Sequence, residues 1–126
     1  MNGKERYQVS FYANNLPSTR WWRKPSPLVR VKIISGSQKG TELGETEYIR
    51  NAPSPDWTKI FFVEFSTDDI MELEVTIWDH IDGREPNWIG EARFEVYSVF
   101  QERGNTKTEQ IGISEGSVYV VCHVSI

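Results

Sequence analysis

Carboxylate and amide side chains cluster in residues 79–87, the segment best suited to bind a hard cation. Asp79, Asp82, Glu85 and Asn87 offer oxygen atoms, which are the ligands that calcium prefers. The segment also contains a glycine and a proline, and this composition is typical of exposed turns. Two interpretations stay open: solvated turn residues, which we favour, and a weak or lost calcium site.

A second segment places two adjacent indoles between cations, in the order Arg20, Trp21, Trp22, Arg23, Lys24. Neighbouring residues of an extended loop point in different directions, so we expect at least one tryptophan at the surface. Indoles favour the headgroup region of a bilayer, and cations are attracted to anionic lipids. The alternative is that one tryptophan packs over the end of the fold while an arginine stacks on the other. We favour membrane contact.

The net charge of −4 is unevenly distributed along the chain. Residues 6–41 carry seven Lys or Arg and no acidic residue, whereas residues 42–126 carry six basic and seventeen acidic residues. The first third is therefore the candidate anion-binding region, and it includes Arg30 and Lys32. Nucleic acid is an unlikely partner, because the chain is acidic overall and its basic residues form no longer stripe.

Enzyme chemistry finds little support in the residue types. The two histidines and the single cysteine form no nucleophile–base set and no zinc cluster. No glycine-rich loop leads from a strand into a helix, so a nucleotide site lacks its anchor. Cys122 cannot form an internal disulfide, which fits a reducing compartment. With no leader and no long apolar run, the expected location is cytoplasmic.

Period-two alternation predicts eight short strands separated by Gly and Pro turns, which favours an all-β, antiparallel β-sandwich. Residues 97–103 are predicted to form a short helical turn. The predicted strands span residues 6–14, 29–33, 45–50, 58–65, 73–79, 88–96, 107–113 and 117–126.

The same alternation predicts which side chains face the interior. In the fourth strand Phe61 faces inward, while Ile60 and Phe62 lie on the opposite face, so both faces are expected to be partly covered. The predicted core comprises Val9, Phe11, Val31, Ile33, Trp57, Phe61, Val75, Ile77, Ile89 and Val120.

Several motifs resemble those of C2 domains. An Asn-Leu-Pro segment stands at residues 15–17, and an Arg-x-x-x-x-Pro-x-Trp pattern stands at residues 50–57. Residues 73–91 resemble the strand, third loop and strand of the family, and residues 26–29 are an altered Asp-Pro-Tyr-Val. The resemblance covers nearly all of the chain and is greatest for the copine-type branch. It implies a single C2-like domain over residues 1–126, with the second of the family's two circularly related topologies.

The resemblance also bears on calcium, because C2 domains typically coordinate it with about five carboxylates from the first and third loops. Asp79 matches one ligand position. The other positions fall on Arg20, Ser26, Ile81 and Asn87. The Arg20 guanidinium is expected to reach Asp79 or Asp82 across the loops and act as a built-in cation. Calcium is therefore possible as a cofactor but not favoured.

Residues and resemblance together predict a non-enzymatic module that binds anionic phospholipid surfaces, without calcium, through its basic and aromatic first loop. The predicted contact residues are Arg20, Trp21, Trp22, Arg23, Lys24, Arg30 and Lys32. The alternative is a protein-interaction module that uses the same loop or a sandwich face. In the membrane interpretation the protein is peripheral at membranes.

Overall fold

The computed structural model describes residues 3–112 and 117–126. Within these residues eight strands form two antiparallel sheets, as the alternation predicted, and a short helix α1 follows the sixth strand. The strands are β1 Glu5–Asn14, β2 Pro27–Ile33, β3 Glu42–Glu45, β4 Phe61–Phe65, β5 Glu72–Ile81, β6 Arg84–Glu95, β7 Thr106–Gln110 and β8 Tyr119–Ser125. Helix α1 spans Val96–Gln101, which overlaps the predicted helical stretch of residues 97–103, and a 3₁₀ turn follows at Arg103–Asn105.

The strand order is β4-β1-β8-β7 in the first sheet and β3-β2-β5-β6 in the second. The first and last strands are therefore hydrogen-bonded neighbours, with Val9 opposite Val124. Strand β1 leads directly into the Asn-Leu-Pro segment. In the described part of the chain, no helix is long and apolar enough to cross a membrane.

The core lies between the two sheets and is formed by the inward-facing residues of each strand. Nine of the ten predicted core residues are buried, and the tenth, Ile89, packs against the core while partly exposed. Strand β6 has an irregular register where it passes Ile77 and Trp78 of β5, and Ile89 is the residue left without an opposite partner there. A bulge of this kind turns one side chain away from the regular alternation.

The third strand is β3, Glu42–Glu45, and the prediction of residues 45–50 was wrong. Thr46 is buried, and its Oγ1 accepts a hydrogen bond from the Val29 N–H at 2.9 Å. Glu47 accepts hydrogen bonds from the Thr58 N–H and hydroxyl, both at 2.7 Å. The backbone also stays beside β2, because the Thr46 N–H donates to the Val29 oxygen at 2.8 Å and the Ile49 N–H to the Pro27 oxygen at 3.2 Å, but the strand itself ends at Glu45.

Two further predictions for strand bounds need correction. Residues 80–87 are not an extended loop, because β5 and β6 continue to Ile81 and Arg84 and leave only Asp82–Gly83 as the turn. Gly83 has φ 76°, a conformation that glycine adopts without strain. The fourth strand starts at Phe61 rather than at residue 58. Ile113, the predicted end of the seventh strand, lies outside the described residues.

The outer face of β4 is partly covered, as the alternation predicted. Ile60 and Phe62 keep about half of their surface in solvent. The Arg6 guanidinium lies over the Phe62 ring at 4.5 Å. Phe61, which points the other way, is buried and packs edge-on against Phe11, with 6.1 Å between ring centroids.

Candidate functional site

Two connecting segments and the tip of the β5–β6 hairpin meet at one end of the sandwich, and we call these three segments, residues 15–26, 48–54 and 79–87, the loop end. Backbone hydrogen bonds join the first two segments, because the Ala52 N–H donates to the Pro25 oxygen at 2.8 Å. The His80 N–H donates to the Ser26 oxygen at 2.8 Å, which joins the first segment to the third. The tryptophan-containing segment and the acidic hairpin tip are therefore close together in space.

Trp21 and Trp22 project from the loop end into solvent. Trp21 is 92% exposed and Trp22 is 60% exposed, which confirms the prediction that at least one lies at the surface. The indoles meet edge to face, with 5.7 Å between ring centroids, and the Arg20 guanidinium lies 5.3 Å from the Trp22 ring. The alternative interpretation was correct about an arginine stacking on a tryptophan, but neither indole packs over the end of the fold.

A tight turn holds the two tryptophans outward. The Ser18 hydroxyl donates to the Arg20 oxygen at 2.6 Å, and it also contacts the Arg23 oxygen. The Arg23 N–H donates to the Arg20 oxygen at 3.3 Å, which closes the turn around the indole pair. Such side-chain contacts to the backbone stabilise turns without a strand ladder.

The three cations beside the tryptophans differ in their surroundings. Lys24 is exposed, and Arg20 stacks on Trp22, whereas the Arg23 guanidinium points into the loop end and donates to Ser26 Oγ at 2.7 Å. Across residues 3–112 and 117–126, no carboxylate forms a salt bridge with any of the three. Lys24 therefore presents the exposed positive charge next to the indoles, and the half-buried Arg20 adds its charge over the Trp22 ring.

Arg30 and Lys32 lie away from the tryptophans, on the outer face of the second sheet. They line a groove of about 620 Å³ together with Glu42, Glu45, Glu74 and Trp78. Arg30 pairs with Glu45 at 3.0 Å and lies over the Trp78 ring at 5.0 Å. The groove has more acidic than basic side chains, so these two cations do not extend the positive surface of the loop end.

The four candidate calcium ligands do not surround a common point. Asp79 is fully buried, and its two oxygens accept hydrogen bonds from the Thr19 hydroxyl at 2.5 Å and the Ser26 N–H at 2.8 Å. The Asn87 amide nitrogen donates to Thr19 Oγ1 at 3.1 Å. Asp82 and Glu85 are exposed on or beside the turn. Among the described residues these side chains form no metal-binding cluster, so this donor set does not fit a calcium site.

The expected contact of Arg20 with Asp79 or Asp82 is wrong, because Arg50 takes that place. Arg50 donates to both Asp82 oxygens, at 2.9 and 3.2 Å, and His80 Nε2 lies 3.0 Å from Oδ1. The Arg50 hydrogen bonds, followed by that of His80, hold the pKa of the Asp82 carboxyl below its ordinary value. Tyr48 stacks on the His80 ring at 3.7 Å. These four residues join the second and third segments of the loop end.

Two cations at the loop end were missed as candidate contact residues. Arg50 appeared only as the first residue of the Arg-x-x-x-x-Pro-x-Trp pattern, and Arg84 follows the Asp82–Gly83 turn. Both side chains are exposed. Neither is close in sequence to Trp21, so charge patterning along the chain gave no signal that they share its end of the fold.

Comparison with known proteins identifies the architecture. Residues 9–111 match the family model described as "C2 domain". A C2 domain of plant extended synaptotagmin 1 is 14% identical, with TM-score 0.65, covering 97% of this chain and 93% of that chain. A structure described only as a C2 domain is 20% identical, with TM-score 0.64, covering 96% and 98%. These identities establish the fold alone.

Human GIVD cytosolic phospholipase A2 also matches, at 15% identity and TM-score 0.69 over 98% of this chain. The match covers 16% of the phospholipase chain, so this chain spans only a small part of that protein's length. The similarity therefore concerns one domain of a larger enzyme and carries no catalytic activity to this chain. Burial raises the pKa of the Cys122 thiol, which makes the cysteine a poor nucleophile.

Proposed function

Since the matched model spans most of its length, the chain belongs to the C2 domain family, and we propose that its loop end binds anionic phospholipid surfaces without calcium. C2 domains are commonly modules that bind membrane lipids or proteins, and a C2 domain alone is non-catalytic. In this proposal the protein is peripheral at cytoplasmic membrane surfaces, needs no cofactor, and resembles the copine-type branch.

The exposure of Trp21 and Trp22 carries the proposal. Two adjacent indoles that keep 92% and 60% of their surface in water are unusual for residues of this size. They contribute little to the core, so their exposure requires another explanation. Indoles with cations beside them suit the interface between lipid headgroups and acyl chains, where the ring is buried and the cation meets phosphate.

The charge contribution to binding is modest. Arg20 and Lys24 supply ~2 kcal/mol on an anionic leaflet, at ~1 kcal/mol for each cation. Arg23 is not included, because its guanidinium is turned into the loop end. Insertion of the indoles adds apolar burial, and the sum gives weak, reversible binding that a second signal would strengthen. The charge contribution is screened over ~8 Å at physiological ionic strength, so binding should weaken in high salt.

Calcium independence is supported by the hydrogen bonds of Asp79. Both of its oxygens already accept hydrogen bonds from the chain, so a metal ion would have to displace the Thr19 hydroxyl or the Ser26 N–H. Asp82, the nearest exposed carboxylate in sequence, is paired with Arg50. Binding driven by Trp21 and Trp22 needs neither carboxylate.

The experiment is liposome sedimentation of the Trp21→Ala/Trp22→Ala double variant in chelator. We expect it to lose most binding to anionic vesicles while its melting temperature stays within about 2 °C of the unaltered protein, because exposed side chains contribute little to stability. Phe62→Ala is the matched control, since Phe62 is an exposed aromatic on the edge strand β4, outside the loop end. It should bind like the unaltered protein.

The alternative is that the loop end binds a protein, because exposed tryptophans beside arginines are also typical of interface anchors. The same sedimentation distinguishes the two. If the unaltered protein stays in the supernatant with neutral and anionic vesicles, in calcium and in chelator, the membrane proposal fails and the protein-interaction module is favoured.

A further inference from the structure

A chain of hydrogen bonds connects the first loop to both strands of the β5–β6 hairpin. Asn87 donates to Thr19 Oγ1 at 3.1 Å, and the Thr19 hydroxyl donates to Asp79 Oδ2 at 2.5 Å. The other Asp79 oxygen accepts the Ser26 N–H at 2.8 Å. Thr19 lies before the two exposed tryptophans and Ser26 lies after them, so one buried carboxyl group holds both ends of the turn that carries the indoles.

Arg23 makes a second set of contacts at the same place. Its Nη2 donates to Ser26 Oγ at 2.7 Å and lies 3.5 Å from the His80 oxygen, while Nε donates to the Lys24 oxygen at 3.3 Å. The side chain is half-buried, unlike those of Trp21 and Lys24. A positive charge of the chain itself therefore stands where the first loop meets β5.

The hydrogen bonds to Asp79 offset the cost of burying its carboxyl group. A carboxyl group removed from water must find hydrogen-bond donors or a cation, since burying it unpaired is costly. Asp79 is fully buried, and within the described residues no buried side-chain nitrogen or oxygen lacks a hydrogen-bond partner. The requirement is met by groups of this chain, so the loop has no need of a metal to keep it against the hairpin.

We propose that Thr19 and Arg23 are positioning residues that hold the first loop against β5 in place of a bound cation, and so fix the direction of Trp21 and Trp22. The role in directing the tryptophans rests on the proposed function, whereas the role in holding the loop does not. A loop held in place before binding loses less conformational entropy when it contacts a surface, so the contact is stronger for the same residues.

Hydrogen–deuterium exchange of residues 18–26 tests the proposal without lipid. The backbone amides of Arg20, Arg23 and Ser26 are hydrogen-bonded in the closed loop, and their exchange reports its opening. In the unaltered protein we expect the same exchange rate in calcium and in chelator. Clear slowing of exchange by calcium would overturn the proposal, because a metal would then be completing the closure.

Substitutions at position 19 separate the hydroxyl from the rest of the side chain. Thr19→Val should speed exchange of the loop by about tenfold, the order expected when a hydrogen bond to a charged acceptor is lost, while Thr19→Ser should retain slow exchange. Thr108→Val is the control, since it removes an exposed hydroxyl from β7. Exchange in Thr19→Val equal to that of the unaltered protein would contradict the role of the hydroxyl, as would fast exchange in Thr19→Ser.

Arg23→Gln should likewise speed exchange of the loop, whereas Arg103→Gln, at an exposed arginine after α1, should not. If Arg23→Gln exchanges at the unaltered rate, Arg23 has no positioning role. The liposome result stays separate: slow, calcium-independent exchange in a protein that fails to bind vesicles would keep the inference about the loop and remove only the membrane function.

Discussion

Phe61 and Phe62 are neighbours in β4 with opposite environments, and replacing each by alanine tests the assignment of the sheet faces. Phe61 is 3% exposed and packs against Phe11, with 6.1 Å between the ring centroids. Phe62 is half exposed and contacts the Arg6 guanidinium at 4.5 Å. The two substitutions remove the same atoms, so any difference in stability measures burial.

The expected costs differ severalfold. Truncating a fully buried phenylalanine typically costs about 3–5 kcal/mol of unfolding free energy, through lost burial and the cavity left behind. Phe61→Ala should therefore lower the melting temperature by roughly 10 °C or more in a domain of this size. Phe62→Ala should cost about 1 kcal/mol or less, since it loses only partial burial and one exposed cation–π contact.

Urea denaturation followed by circular dichroism measures both free energies on the same scale. The midpoint should fall sharply for Phe61→Ala and little for Phe62→Ala, with similar slopes. Equal costs, or a larger cost at Phe62, would show that the inward face of β4 is assigned incorrectly, and with it the register of β1 and β4.

Three further predictions concern the packing at Gly90, the ionisation of Glu47 and the salt dependence of vesicle binding. Gly90→Ala should lower the unfolding free energy by about 1–3 kcal/mol in urea denaturation, because a Cβ there would lie 2.1 Å from Ile111 Cγ2. A smaller cost would mean that Ile111 moves aside freely. Burial alone would raise the pKa of Glu47, but hydrogen bonds from Thr58 and Lys59 lower it overall, so its stabilising contribution is present above pH 4.5 and is lost as pH falls through the folded pKa. Glu47→Gln should weaken that loss in acid denaturation, and an unchanged acid transition would contradict it. Finally, about 0.5 M salt should reduce anionic vesicle binding without abolishing it, because the indoles add an uncharged contribution; complete loss would assign the binding to charge alone.

Strand number and core composition could be predicted because both depend on alternation over a few neighbouring residues. Phe61 and Val75 are buried as expected, since inward residues recur at every second position in strands. The third strand could not be placed this way, because Thr46 alternates like a strand residue while contacting the backbone of β2 through its side chain. A pattern over a few residues does not distinguish a strand from a segment whose side chains bond to a neighbouring strand.

The candidate site was predictable only in part, since its central contacts join residues far apart in the sequence. Thr19 and Asp79 are separated by 60 positions, and Arg50 and Asp82 by 32. Nothing in the local sequence indicated either pair, so the built-in cation was assigned to Arg20 rather than to residues that the fold brings together. Exposure of the indoles was predictable, because adjacent large side chains rarely share one core.

Sedimentation of the unaltered protein with anionic and neutral vesicles, each in calcium and in chelator, tests the central claim most directly. The loop end, with Trp21 and Trp22 exposed and Asp79 already hydrogen-bonded, predicts binding to anionic vesicles that is the same in calcium and in chelator and is weaker on neutral vesicles. Binding that appears only with calcium, or no binding to anionic vesicles in either condition, would contradict the account.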